Sequence, residues 1–373
     1  MSTASIGALA VPGEKGYRVT EVVVDDPLEC EVLVRVVAAG MCHTDATVKD
    51  RWSGPSLPSI VLGHEGAGVV ERLGSAVRGI APGDKVLMTF NSCGTCASCR
   101  TGHPSYCNRF NDLNMSATGA PRADGTSGLS LPDGTPLAGG FFGQSCFARH
   151  ALASDRNVLV VDAATDDDLA LLAPFGCGVQ TGAGGVFNET LPRVGQTVAV
   201  FGAGAVGLAA VMAAALTPAA RIVAVDIVPS RLGLARGLGA TDTVNSAEED
   251  VVAALARITG GSGTHVGIET TGVPAVQRAA VEALAWRGTL LVVGVQFGMD
   301  FATPAIGLLK GRSVRGVVEG GSDIYTFLPG LIGLYRAGRF PVDKLIRQYP
   351  LDQIDQAAAD SHCGATVKPV LRL

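Results

Sequence analysis

Charge and aromatic side chains are both scarce in this chain. Of 373 residues, 17% are charged and 5% aromatic, against 47% apolar. A disordered chain is polar and strongly charged, so this composition excludes one and leaves a substantial core to bury. Lys+Arg 29 against Asp+Glu 34 leaves a net charge of −5, and the chain has no run rich in Lys and Arg. Displacing counterions from a nucleic acid needs a basic stripe, so no nucleic-acid partner is expected. Met1 to Gly16 has no basic stretch followed by an apolar one, so a secretory leader is not expected and the cytoplasm is the expected location. Glycine is abundant at 49 residues but has no G-X-Y period, which points to tight turns and close backbone approaches.

At about 150 residues per domain, the length predicts two domains. The one long apolar run, 198–216, is long enough for a membrane span. It carries GAGAVG, Gly202 to Gly207, after a β-rich VAVF and before an alanine-rich segment. That reads as a buried strand, a turn and a helix, and no membrane partner is expected.

The cysteines are more informative. There are nine, an odd number, and Cys93, Cys96, Cys99 and Cys107 follow the spacing C-x2-C-x2-C-x7-C within a polar, glycine-containing stretch. With no secretory leader expected, this fits metal thiolates better than disulfides. Four thiolates close a tetrahedral zinc shell, although four cysteines at similar spacing also hold iron–sulfur clusters. Cys42 in AGMCHTD and His64 in LGHEGAGVV both stand beside β-patterned runs, and Cys177 lies in LLAPFGCGVQTG. Two sulfurs and one imidazole would make a three-ligand zinc site with an open fourth position, which is the arrangement of a catalytic zinc. Cys30, Cys146 and Cys363 have no such company and read as small apolar fillers.

Two textures divide the chain. Up to about residue 178, short β-rich runs such as YRVTEVVVDD, CEVLVRVVAAG and GDKVLMTF are punctuated by turns, the pattern of a small antiparallel barrel. From about residue 195 the runs TVAVFG, RIVAVDI, HVGIET and TLLVVGV alternate with helical SRLGLARGLG, EEDVVAALARITG and VQRAAVEALAW, which predicts a doubly wound parallel sheet. After residue 320 come a helical piece, DIYTFLPGLIGLYRAGRF, and a strand-like tail, TVKPVLRL. Gly202, Gly204 and Gly207, with Ala205 and Val206 between them, open a helix directly after a strand and suit a dinucleotide pyrophosphate. Asp226, at the end of the next strand, would accept hydrogen bonds from the ribose hydroxyls and repel a 2′-phosphate, so NAD is favoured over NADP. Arg231 nearby is the residue that could accommodate that phosphate.

Taken together, GMCHTD, LGHEGAGVV, the four-cysteine segment, FGCGVQTG, FGAGAVG and VAVDI resemble the zinc-dependent alcohol dehydrogenases of the medium-chain dehydrogenase/reductase superfamily. GMCHTDATVKD, FGQSCFARHA, VRGVVEGGSD and GRFPVDKLI are further similar to bacterial aryl (benzyl) alcohol dehydrogenases. The resemblance implies an α/β chain with a GroES-like β-barrel catalytic domain at 1–178 and a zinc lobe at about 90–110. A Rossmann NAD-binding domain at 179–318 and a C-terminal segment at 319–373 returning to the catalytic domain complete it. It implies two zinc ions, one on Cys42, His64 and Cys177 and one on the four-cysteine lobe, and NAD as the hydride acceptor. Thr44 matches the hydroxyl that touches the substrate, Asp45 the carboxylate that orients His64, and Glu65 the residue behind the metal. His43 and Lys368 match residues facing the cofactor phosphates. Five residues after Cys42, where relatives often end a proton relay in histidine, stands Thr47, which is no base near neutral pH.

The expected activity is reversible oxidation of a primary aromatic or allylic alcohol to its aldehyde. A homodimer or homotetramer is expected, pairing through an edge strand near Gly311 to Val318. The alternatives are a formaldehyde dehydrogenase acting on a glutathione or mycothiol adduct, and a non-enzymatic zinc- or nucleotide-binding protein. A zinc-free quinone reductase of the same superfamily is disfavoured, because every ligand position is filled.

Overall fold

The computed structural model of the chain describes residues 2–54, 56–115, 122–294, 301 and 305–373. The chain divides into two compact units, one of Met1–Cys177, Asp323–Gly333 and Asp343–Leu373, the other of Gly178–Ser322 and Leu334–Val342. The first half supplies β1 (Thr3–Ala10), β2 (Tyr17–Val24), β3 (Glu31–Gly40), β4 (Ile60–Val61) and β5 (Glu65–Leu73). It continues with β6 (Lys85–Met88), β7 (Leu129–Ser130), β8 (His150–Ser154) and β9 (Val158–Val160). Then follow β10 (Thr197–Phe201), β11 (Arg221–Asp226), β12 (Asp242–Asn245), β13 (Thr264–Glu269), β14 (Leu284–Val292) and β15 (Ser313–Gly316). Last come β16 (Ile346–Pro350) and β17 (Lys368–Arg372).

In the first unit one sheet runs β16-β17-β3-β5-β6-β9, with β8 also on β3, and a second runs β4-β1-β2-β7. Pairing is antiparallel throughout except between β16 and β17, which the helix Ile354–His362 connects as a parallel crossover. β3 is central and almost wholly buried, which is why its sequence is a near-continuous apolar run. Its register against β5 ends at Gly40 opposite Glu65, and against β17 it begins at Gly40 opposite Val370. The residues just after β3, just before β5 and at the start of β17 therefore meet at one edge of the sheet.

The second unit is a parallel sheet in the order β12-β11-β10-β13-β14-β15. Phe201, Val223, Leu255, Val281 and Leu290 fill its core. Each such side chain contributes about 1.5–3 kcal/mol relative to exposure. The apolar run 198–216 is β10, a turn and the helix Ala205–Ala215. That helix is buried all round from Gly207 to Ala214, which explains its lack of polar residues. Among the described residues no single helix is long and apolar enough to cross a membrane. One helix is shorter than its sequence suggests: VQRAAVEALAW leaves helical structure after Glu282, because Leu284 already pairs with Thr264 as the start of β14.

Candidate active site

Cys42 is the N-cap of the helix His43–Arg51, with extended backbone. Asp45, fully buried, ties three elements together. Its Oδ2 accepts from the Cys42 amide at 2.9 Å, and its Oδ1 accepts from the Gly63 amide at 3.0 Å and lies 3.0 Å from His64 Nδ1. In the neutral imidazole, Nδ1 donating to the carboxylate leaves the lone pair on Nε2. That atom is buried and has no hydrogen-bond partner among the described residues. Cys177 follows the short turn Ala173–Gly176 and is buried. Donor atoms of Cys42, His64, Glu65 and Cys177 all lie within 4.8 Å of one another. A hydrogen bond from Cys177 holds the Cys42 thiol well below its usual range, against the effect of burial. Burial disfavours charge on His64, but Asp45 prevails and raises its pKa well above the ordinary value. An oriented imidazole nitrogen without a hydrogen-bond partner, beside the thiolate-prone Cys42 and the Cys177 sulfur, fits zinc.

Thr44 Oγ1 lies 3.6 Å from Cys42 Sγ, and Thr47 Oγ1 donates to the His43 carbonyl at 3.0 Å. His43 is exposed at the first turn of the same helix. Two features of the site had no signal in residue spacing. Gln144, in the FGQSC segment, donates to the carbonyls of His64 (2.9 Å) and Thr89 (3.0 Å) and accepts from the Gly66 amide (3.0 Å), so it pins the His64 turn. The Phe142 ring stacks on His64 at 4.5 Å, and Phe141 meets His64 edge-on at 5.3 Å. Phe110 and Phe90 extend this aromatic cluster. Phe142 adopts φ 51°, a left-handed conformation rare for a bulky residue and held here by burial.

Lys368, expected near a cofactor phosphate, has partners that the sequence did not indicate. Its ammonium is buried and bonds Glu65 Oε1 and Oε2, each at 2.9 Å, and the Met41 carbonyl at 3.1 Å. Three acceptors use its three protons. Burial works against its charge, but Glu65 overrides it and raises the lysine pKa. The cause is topological: β17 lies beside β3, which brings Lys368 to the residues that follow β3.

In the four-cysteine lobe all donor sulfurs again lie within 4.8 Å. The sulfur separations Cys93–Cys99 at 4.0 Å and Cys96–Cys99 at 3.5 Å match a tetrahedron around one zinc, whose edges are about 3.8 Å for Zn–S bonds of about 2.3 Å. Amides of Cys93, Cys96, Asn108 and Arg109 donate to these sulfurs. Hydrogen bonds from Thr95 help lower the Cys93 pKa to about 5, while burial raises that of Cys99 to about 12.

In the parallel sheet, Gly202 has φ +94°, which a side chain would strain, and Gly204 caps the helix whose first turn is Ala205, Val206 and Gly207. Asp226 Oδ2 accepts from the Ala203 amide at 2.6 Å and Oδ1 from the Val228 amide at 2.8 Å. The carboxylate thus holds the glycine loop itself, besides standing where ribose hydroxyls are expected. Arg231 lies half-buried in the first turn of the helix Pro229–Gly237. Glu269, which the sequence did not single out, is buried at the end of β13 and accepts from Thr271 N and Oγ1 and from the Gly272 amide.

Comparison with known proteins identifies the family. Residues 29–162 match the alcohol dehydrogenase GroES-like domain, and residues 205–332 match the zinc-binding dehydrogenase domain. The chain belongs to the zinc-dependent alcohol dehydrogenases of the medium-chain dehydrogenase/reductase superfamily. It is 43% identical to a geraniol dehydrogenase of Castellaniella defragrans over 91% of this chain and 90% of that one. Among solved structures it resembles an alcohol dehydrogenase zinc-binding domain protein from Burkholderia ambifaria, with TM-score 0.94, 48% identity and full coverage of both chains. It also resembles the benzyl alcohol dehydrogenase of Acinetobacter calcoaceticus, with TM-score 0.92 and 39% identity over 100% of this chain and 99% of that one. The enzyme is an oxidoreductase with donor sets for two zinc ions and an NAD-dependent Rossmann domain.

Proposed function

We propose that this enzyme oxidises primary alcohols whose carbinol carbon is attached to an aromatic ring or a C=C bond, and reduces the matching aldehydes, with NAD as the partner in hydride transfer. The observation that carries this reading is the aromatic cluster in which Phe142 and Phe141 pack against the His64 ring and Phe110 and Phe90 continue the stack beyond Phe142. Such rings offer an apolar, polarisable wall beside the reacting centre. Geraniol, an allylic alcohol, and benzyl alcohol name two of the similar proteins, which supports the same substrate class.

In this reading Cys42, His64 and Cys177 hold the catalytic zinc and Cys93, Cys96, Cys99 and Cys107 the structural one. Zinc, when bound, acts as a Lewis acid toward an alcohol or a carbonyl oxygen. Asp45 fixes the His64 tautomer, and Glu65 stands behind the ligands with its charge balanced by Lys368. Thr44 carries the hydroxyl proton away from the substrate. Thr47 does not end that relay, since its hydroxyl is turned to its own helix backbone. The proton leaves through water or the cofactor ribose instead. Gly202, Gly204, Ala205, Val206 and Gly207 receive the pyrophosphate, while Asp226 and Arg231 frame the adenosine ribose.

A reducing, cytoplasmic setting suits six metal-ligand thiols. The assembly we propose is a homo-oligomer formed through β15, the edge strand of its sheet, flanked by exposed Trp286 and Leu309. The substrate class is tested with zinc-loaded enzyme and a panel of benzyl alcohol, cinnamyl alcohol, geraniol, hexanol, ethanol and S-hydroxymethylglutathione. Conjugated alcohols should exceed ethanol in kcat/KM by orders of magnitude, because ethanol loses apolar contact at about 25 cal/mol per Å². Ethanol or the glutathione adduct matching benzyl alcohol would refute the assignment.

A further inference from the structure

Three buried carboxylates line the C-terminal rim of the parallel sheet: Asp226 ends β11, Glu269 ends β13, and Glu319 comes three residues after β15. Asp226 and Glu269 bind the loops that follow their own strands. Glu319 reaches a different element. Its Oε2 accepts from Gln180 Nε2 at 3.1 Å and from Thr181 Oγ1 at 3.4 Å, both on the helix Gly178–Gly184. The backbone beneath is left-handed at three residues running, with φ 48° at Glu319, 65° at Gly320 and 64° at Gly321. For glutamate this conformation persists only where surroundings over-determine it. Here they do. A Cβ on Gly320 would collide with the Gln180 carbonyl, and Asn188 Nδ2 donates to the Gly320 carbonyl at 3.0 Å. Side chain and backbone together key the turn leaving β15 to the helix that bears Gln180 and Thr181.

The strand order says what this junction serves. Asp226 marks the adenosine half of the crevice on β11, and the glycine loop after β10 marks the pyrophosphate. β13, β14 and β15 lie on the other side of β10, so the second half of the dinucleotide extends over their ends. We infer that Glu319 is a positioning residue for the nicotinamide half of the cofactor, acting through Gln180 and Thr181. The inference rests on the NAD-binding reading of this sheet and adds to it a residue with a defined share of the binding.

The experiment compares two probes on the zinc-loaded enzyme by titration calorimetry: NADH, and ADP-ribose, which lacks the nicotinamide ring. Glu319→Ala should raise the Kd of NADH about tenfold, the size expected for loss of a charged acceptor, and leave that of ADP-ribose within about twofold. Glu319→Gln keeps the volume and one acceptor and should weaken NADH by about threefold, again without affecting ADP-ribose. If the alanine variant does not fold, the glutamine variant carries the same comparison. Equal weakening of both probes would mark a merely structural role and overturn the inference, as would an unchanged Kd for NADH. A parent enzyme that binds neither probe would bring down the cofactor reading, and this inference with it.

Discussion

Asp45→Asn is the substitution whose outcome the geometry specifies most closely. The carboxylate serves three donors: the Cys42 and Gly63 amides and His64 Nδ1. Asparagine has one acceptor oxygen and one donor group, so it cannot serve all three. With its oxygen toward Gly63 and His64, its NH2 faces the Cys42 amide, and the turn that presents the sulfur loses its anchor. Turned the other way, it presents NH2 to Nδ1, and the imidazole must accept there and carry its proton on Nε2. A protonated Nε2 cannot bind a metal. Either orientation strands a buried donor, at about 1–3 kcal/mol, or spoils a ligand. Loss of such a supporting partner typically weakens metal binding 10–100-fold, which is about 1.4–2.7 kcal/mol. Zinc content measured against graded chelator should show one zinc per chain released at 10–100-fold lower chelator strength than in the parent, with the four-cysteine zinc unmoved. Activity should fall in step with the lost zinc. A variant that keeps both zincs with affinities within about threefold of the parent, at unchanged kcat/KM, would refute the account of Asp45.

Four further outcomes follow from the same structure. Cys96→Ser should lose one zinc and lower Tm markedly while zinc at the other site remains, because a closed metal site contributes directly to folding; two zincs at an unchanged Tm would contradict this. Lys368→Met leaves Glu65 buried without its cation and should cost about 3–5 kcal/mol in denaturant unfolding, whereas a loss below about 1 kcal/mol would show the pair to be dispensable. Asp226→Ala should lower kcat/KM for NAD and raise it for NADP. It should also destabilise the glycine loop, since the Ala203 and Val228 amides lose their acceptor, and unaltered cofactor preference would place discrimination on Arg231. Desolvation lowers the pKa of His150, despite Glu71 beside it. The unfolded chain therefore takes up a proton near its ordinary value while the folded one does not, so this contribution to stability is present above about pH 6.5 and is lost as pH falls. Denaturant titrations should show a shallower decline on acidification for His150→Gln, and parallel curves would exclude the effect.

What could be read in the sequence was what local spacing encodes. Four cysteines within fifteen residues, and three glycines between a strand and a helix, carry their meaning wherever the chain goes, because the backbone between them is too short to separate them. Cys42 and His64 are 22 residues apart, yet each abuts a strand, so an antiparallel register was enough to join them. Lys368 could not be read this way. It lies 303 residues from Glu65 in sequence, and its partner follows from β17 pairing with β3, a fact of topology that no spacing records. The same holds for Gln144 and Phe142, which reach the His64 turn only through the fold of the Gly140–Ser145 segment. The candidate metal donors, and Asp45 through the family resemblance, were thus legible, whereas Gln144, Phe142 and the Glu65–Lys368 pair were not. This division has a physical basis. A ligand must be a particular element at a particular distance from its neighbours, which constrains residue type and often spacing. A supporting residue need only deliver one hydrogen bond, one charge or one ring to a point that the tertiary structure defines. Glu319 belongs to that second group: it is an ordinary glutamate in GVVEGGSD until its left-handed backbone and its contact with Gln180 and Thr181 are seen. Residues that set how tightly a cofactor is held should therefore be sought among buried polar side chains with long-range partners, beyond the motifs that announce the cofactor.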